Sequence, residues 1–253
     1  GLLDLTSVTG QLSALAEAAV GACLALAAEG TGLTADGFAV LALGKLGGGE
    51  LNYSSDIDLL FVSRAEAARH EPLGRRLIEA LSRITAQGFL YRVDMRLRPW
   101  GQSGPLVSSY DGYVKYARQH ARFWEKQALL KARAVAGDRA LGGALLGELR
   151  PLLAAESVEQ ARQAVRELKQ RTEARLRRQG RDWGEVKLGE GSIRDVEFIV
   201  QFLQLVHAPR HPEVLTPHTQ AALAGLRRRG LLCADEHRVL HEGYTFLRTL
   251  EHH

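Results

Sequence analysis

Cysteine is scarce in this 253-residue chain: Cys23 and Cys233 stand far apart, with no CxxC motif and no histidine pair at ligand spacing. Neither a disulfide framework nor a zinc site is signalled, and a reduced, cytoplasmic protein is expected. Lysine is also scarce, at six of the 33 basic residues, and an arginine-rich balance suits planar recognition of phosphate or carboxylate, or reflects compositional bias. A net charge of +4 with 29 acidic residues leaves no continuous basic stripe, which argues against a nucleic-acid partner. The apolar run from Leu12 to Ala28 has no preceding Lys or Arg, follows Asp4 and is interrupted by Glu17. It predicts a buried Ala-rich helix, with neither export nor membrane association. The chain lacks an initiator Met and ends Leu250-Glu251-His252-His253, so a fragment of a longer protein is expected.

What is present suits a folded protein: 45% of residues are hydrophobic and 25% charged, enough for one good core or two modest ones. Helical spacing runs through Leu12, Leu15, Ala16, Ala19 and Cys23. Short apolar runs at 38–43 and 57–62 predict strands buried on both faces, with a glycine turn between them. A helix is expected over 73–86, ended by Gly88, and a third strand over Phe89 to Met95. Beyond Pro105 the pattern is helical, with candidates near 110–120, 122–133, 137–153, 156–179, 192–207, 217–229 and 234–250. The division expected is a small mixed α/β domain over 1–108 and a helical one over 109–253.

The stretch GKLGGGELNYSSDIDLLFV, residues 44–62, concentrates the chemistry. Strand alternation puts Asp56 and Asp58 on one face and Ile57 in the core. Two adjacent carboxylates repel unless a cation sits between them, and Mg2+ or Mn2+ prefers such hard oxygens. Asp94 lies inside an otherwise apolar strand, where an unpartnered charge is costly, and it completes a three-carboxylate cluster if the third strand lies beside the second. Such a cluster suits two metal ions acting on in-line displacement at phosphorus. Arg96 and Arg98 follow at the same alternation, either to hold phosphate oxygens or to bridge to the carboxylates themselves. Gly44, Gly47, Gly48 and Gly49 let backbone N–H groups approach a phosphate, with Lys45, Ser54 and Ser55 nearby. The spacing fits neither GxGxxG nor a P-loop.

Residues 44–62, 91–106 (YRVDMRLRPWGQSGPL), 124–138 (WEKQALLKARAVAGD) and 187–205 (KLGEGSIRDVEFIVQFLQL) together resemble the bifunctional glutamine synthetase adenylyltransferase family. The resemblance implies an α+β fold: a polymerase-β-like nucleotidyltransferase domain followed by an all-α helical bundle. It implies two opposed reactions on a glutamine synthetase tyrosine, AMP transfer from ATP and AMP removal by phosphorolysis to ADP. The tokens Asn52-Tyr53-Ser54-Ser55-Asp56 and Arg92-Val93-Asp94-Met95-Arg96 resemble the removing half. Carried over, the metal-binding carboxylates fall on Asp56, Asp58 and Asp94, with Gly44 and Ser55 in the glycine-serine pattern that holds phosphate. Glutamine synthetase is the expected partner, with the PII signalling protein a further one.

Ser192 and Asp195 resemble a capping box ahead of a helix with Ile193, Val196, Val200 and Leu203 on its apolar face. Lys187, Arg194 and Glu197 are candidates for facing the active-site cleft, and Trp124, Glu125, Lys131 and Arg133 for a helix packed against the catalytic sheet from which Lys131 or Arg133 reaches phosphate. The rival readings are the adenylylating reaction, a non-catalytic nucleotide-binding regulatory module and a DxD glycosyltransferase. The third carboxylate and the glycine turn disfavour the last.

Overall fold

The computed structural model describes residues 4–64, 66–154, 157–181 and 183–252. In chain order the elements are α1 (Leu5–Thr31), β1 (Phe38–Ala42), α2 (Gly44–Gly48), β2 (Ile57–Ser63), α3 (Ala67–Ser82), β3 (Val93–Asp94) and β4 (Val107–Ser109). There follow α4 (Tyr110–Gln119), α5 (Phe123–Leu130), β5 (Arg133–Gly137), α6 (Arg139–Leu149), α7 (Val158–Arg178), α8 (Ile193–His207), α9 (Thr219–Arg228) and α10 (Ala234–His252). The chain divides into two compact units, Gly1–Ala121 with Lys131–Leu152, and Arg122–Leu130 with Leu153–His253.

The first unit is built on a mixed sheet in the order β3-β2-β1-β5. β1 runs antiparallel to β2, with Phe38 opposite Ser63 and Ala42 opposite Leu59, and antiparallel to β5 across a bulge between Val40 and Leu41. β3 and β4 both pair with β2 in parallel, one at each end of the same edge. All five residues of β1 are buried, and in β2 only Asp58 is not. Continuous apolar runs of this kind mark strands covered on both faces. Phe38, Val40, Ile57, Leu59 and Phe61 share a core with Ala16, Val20 and Leu24 of α1 and Leu73, Leu77 and Leu81 of α3. On the opposite face, an added Cβ at Gly142 of α6 would press on Ala134 and Ala39. By length and composition α1 could cross a bilayer, but Ala16, Val20, Cys23, Leu24 and Ala27 are buried inside this unit.

Several expectations change. The segment at 133–137, expected as the join between two helices, is a strand; Gly137 has φ +71°, and a Cβ there would overlap Phe38 O. The sheet therefore takes in chain beyond residue 108, and the first unit runs to Leu152. The third strand is two residues long, because Tyr91 N donates to Leu81 O and Phe89 and Leu90 stay exposed. The glycine turn is the short helix α2, with Gly49 (φ +71°) as its C-cap.

Among the described residues of the second unit the regular elements are all helices, joined by turns and loops such as 183–192. Ile193, Val196 and Val200 of α8 pack with Ala222, Leu223 and Leu226 of α9 and Tyr244 of α10. Ser192 precedes α8 but makes no capping bond; Asp195 instead accepts from Gly191 N at 2.8 Å and from Lys169 Nζ at 2.6 Å, tying α7 to the start of α8.

Candidate functional site

The candidate site lies on the β2–β3 edge of the first unit. Ile57 pairs with Val93 and Asp58 with Asp94, so parallel register sets two carboxylate-bearing residues level on adjacent strands. Asp56 precedes β2 and is exposed, Ile57 is fully buried, and Asp58 is half-buried. Gly44 joins the end of β1 to this edge: at φ +55° its Hα faces the Asp58 side chain, where a Cβ would overlap Asp58 Oδ2. Glycine is thus required twice at this position, by conformation and by space.

Gly49 is the natural control, since it too has a positive φ (+71°) but an added Cβ would meet open space. Gly44→Ala is expected to destabilise the protein by about 1–3 kcal/mol, and by more than Gly49→Ala, in thermal unfolding. Equal losses would show that the Asp58 contact has no weight.

Arginines hold two of the three carboxylates. Arg92 Nε donates to Asp56 Oδ1, and Arg92 Nη2 donates to Ser54 O at 2.7 Å. Arg96 Nε donates to Asp94 Oδ2 at 2.8 Å, and its backbone N to Asp94 Oδ1 at 2.8 Å. The Arg96 hydrogen bond holds the Asp94 carboxyl below its usual range despite partial burial, and Asp94 in turn raises the Arg96 guanidinium. Among the described residues no group of three or more His, Cys, Asp or Glu side chains is gathered closely enough to hold a metal ion. Of the two roles open to Arg96, bridging to a carboxylate is the one present.

Arg98 serves its own loop, donating from Nη1 to Met95 O at 2.8 Å, from Nη2 to Gln102 O at 3.1 Å and from Nε to Gly104 O at 3.3 Å. Asp56, Val93, Asp94, Met95, Arg96, Arg98 and Gln102 line one cavity of about 350 Å3. Lys45 lies in α2, and Ser55 Oγ accepts from Asn52 N at 3.4 Å.

Lys131 and Arg133, candidates for a phosphate, are structural in this arrangement. Lys131 Nζ meets Glu50 Oε2 at 2.9 Å, and both residues are buried. Arg133 donates to Gly47 O, Leu46 O and Glu17. Gly47 is small because a Cβ there would overlap Lys131 O and Ala42 O. Nothing in the sequence signalled the Glu50–Lys131 pair, since Glu50 follows three glycines as an exposed turn residue would. Lys187, Arg194 and Glu197 belong to the second unit, where Arg194 Nε lies 3.8 Å from Glu197 Oε2 and its guanidinium lies over Phe198.

Comparison with known families adds the context. Residues 159–253 match the model described as GlnD PII-uridylyltransferase. A bifunctional glutamine synthetase adenylyltransferase/adenylyl-removing enzyme from Hahella chejuensis is 44% identical over 84% of this chain. Proteins of the same name from Pseudomonas aeruginosa and Vibrio parahaemolyticus are 43% and 39% identical over 84% and 88% of it. The chain spans 23–25% of the length of these relatives. Residues 1–148, which include every element of the candidate site, match the model described as Glutamate-ammonia ligase adenylyltransferase, and the chain belongs to that family.

Proposed function

We propose that this chain removes AMP from an adenylylated tyrosine of glutamine synthetase by phosphorolysis, giving ADP and the free tyrosine. One observation carries the reading: in a chain of this family, β2 and β3 pair so that Asp58 and Asp94 stand level beside Gly44. The relatives are named for both adding and removing AMP, and the choice of removal rests on the sequence around Asn52–Asp56 and Arg92–Arg96. The fold proposed is a polymerase-β-like nucleotidyltransferase domain followed by a helical bundle, in a cytoplasmic protein. PII is the further partner proposed; the model matched over 159–253 is described by its action on PII.

In the proposed step an oxygen of orthophosphate attacks the phosphorus of the tyrosyl-AMP. The bond from phosphorus to the tyrosyl oxygen breaks, and that oxygen leaves with the electron pair and takes up a proton. Asp56, Asp58 and Asp94 would hold Mg2+ or Mn2+, for which an all-carboxylate donor set is chemically suited. Asp58 fits this role as the one residue of β2 that is not buried. The bound cation would neutralise phosphoryl oxygens and polarise the P–O bond. For that to occur Arg92 and Arg96 must release Asp56 and Asp94 and the three carboxylates must draw together, since they are not gathered as they stand; the guanidinium groups then become available to the incoming phosphate. Gly44, Lys45, Ser55, Arg96 and Arg98 are the proposed phosphate and nucleotide contacts.

The test offers adenylylated glutamine synthetase with phosphate and Mg2+ in one tube, and unmodified enzyme with labelled ATP in another. ADP that depends on added phosphate is expected in the first, with no label on protein in the second. The reverse pattern would identify the adenylylating reaction. Turnover in neither tube, with nucleotide still bound, would leave a regulatory module.

A further inference from the structure

Between Arg98 and Gln102, both of which line the carboxylate cavity, the loop carries Trp100. Its backbone is unusual: with φ +63° it is the one non-glycine residue at positive φ among those described. A bulky side chain there is strained and persists only where surrounding structure enforces it. The enforcement is visible. Gly101 N donates to Arg98 O at 2.8 Å, and the Arg98 guanidinium binds three carbonyls of the loop. Gly104 is packed so closely on Pro99 O that a Cβ would overlap it. Gly101 also lies against Arg96, since a Cβ there would sit 3.7 Å from Arg96 O.

This strained loop does not bury its tryptophan. Trp100 is 58% exposed and is braced by Tyr116 at 4.9 Å, edge-on, and by His120 at 5.0 Å. Burial therefore does not compensate the backbone cost, and the bracing fixes a large aromatic group at the surface, on the loop whose flanking residues Arg98 and Gln102 line a small polar cavity. The cavity supplies charge for a phosphate but no flat apolar surface for a base.

We propose that Trp100 is the base-stacking platform of the site, on which the adenine of the transferred adenylyl group lies while its phosphate sits at the Asp94–Arg96 end. The inference rests on the adenylyl-handling reading above and adds a residue that determines nucleotide affinity. Base-on-aromatic stacking is worth about 1–3 kcal/mol, so loss of the ring should weaken nucleotide binding roughly tenfold or more.

The chosen variant is Trp100→Gly, because glycine tolerates the positive φ and relieves the strain while removing the ring. Its melting temperature should equal or exceed that of the parent protein. Titration with ADP in the presence of Mg2+ should show at least tenfold weaker binding, while the KM for inorganic phosphate stays unchanged. Trp100→Phe, which keeps an aromatic ring, should recover most of the ADP affinity. Parental ADP affinity in Trp100→Gly, or an equal loss in Trp100→Phe, would overturn the platform. If the parent protein yields ADP from adenylylated glutamine synthetase while Trp100→Gly binds ADP as well as the parent, only the platform fails. If the parent neither binds nor releases ADP, the adenylyl reading falls with it.

Discussion

Asp58→Asn is expected to lower the proposed turnover of adenylylated glutamine synthetase by roughly 10²–10³-fold or more, the scale on which removing one group that stabilises developing charge acts. Asp58 is the point where three structural features meet: it is level with Asp94, its side chain touches Gly44, and it is the only residue of β2 left partly open. Asparagine keeps the shape that packs on Gly44 but removes the negative charge that a divalent cation requires. The fold should not suffer, because removing one of several nearby carboxylates relieves repulsion. Thermal unfolding is therefore expected to give a Tm equal to or above that of the parent. Parental turnover in Asp58→Asn would remove this edge from the candidate site. Lost activity with a large drop in Tm would mean that Asp58 is a packing residue first.

The parts of the fold that follow from local pattern were legible in the chain. The runs at 38–43 and 57–62 became β1 and β2, and the apolar spacing after residue 11 became α1. What escaped were features set by distant partners. β5 consists of Arg133-Ala134-Val135-Ala136-Gly137, residues equally at home in a helix, and it is a strand because β1 offers an open edge. The glycines of 44–49 announced close backbone approach, yet Gly47 approaches Lys131 and Ala42, and Gly44 approaches Asp58. Glycine in a sequence signals that space is tight without saying which atom needs it. The three aspartates were legible as chemistry, whereas their pairing with Arg92 and Arg96 depends on a two-residue strand that periodicity cannot delimit.

The largest stability effect is expected at the buried Glu50–Lys131 pair. Glu50 directly follows Gly49, the cap of α2, and Lys131 stands two residues before the first residue of β5, so the ion pair fastens the helix that carries Gly44 to the far strand of the sheet. Both residues are almost fully enclosed, at 3% and 7% exposure, so neither charge is well solvated by water. Removing one member takes the opposite charge away from a buried ion, which typically costs about 3–5 kcal/mol, whereas replacing both by apolar groups of similar volume is often neutral or stabilising. Lys131→Met is therefore expected to lower Tm by roughly 10 °C, at about 2–4 °C per kcal/mol for a protein of this size. Adding Glu50→Met to it should restore most of the loss, a coupling that a double-mutant cycle measures directly. A penalty below about 1 kcal/mol for Lys131→Met, or a double variant no better than the single one, would show that the pair is not held as a unit. A double variant that recovers stability but loses activity would place the pair's value in fixing α2, and with it the Gly44 backbone against which Asp58 is positioned.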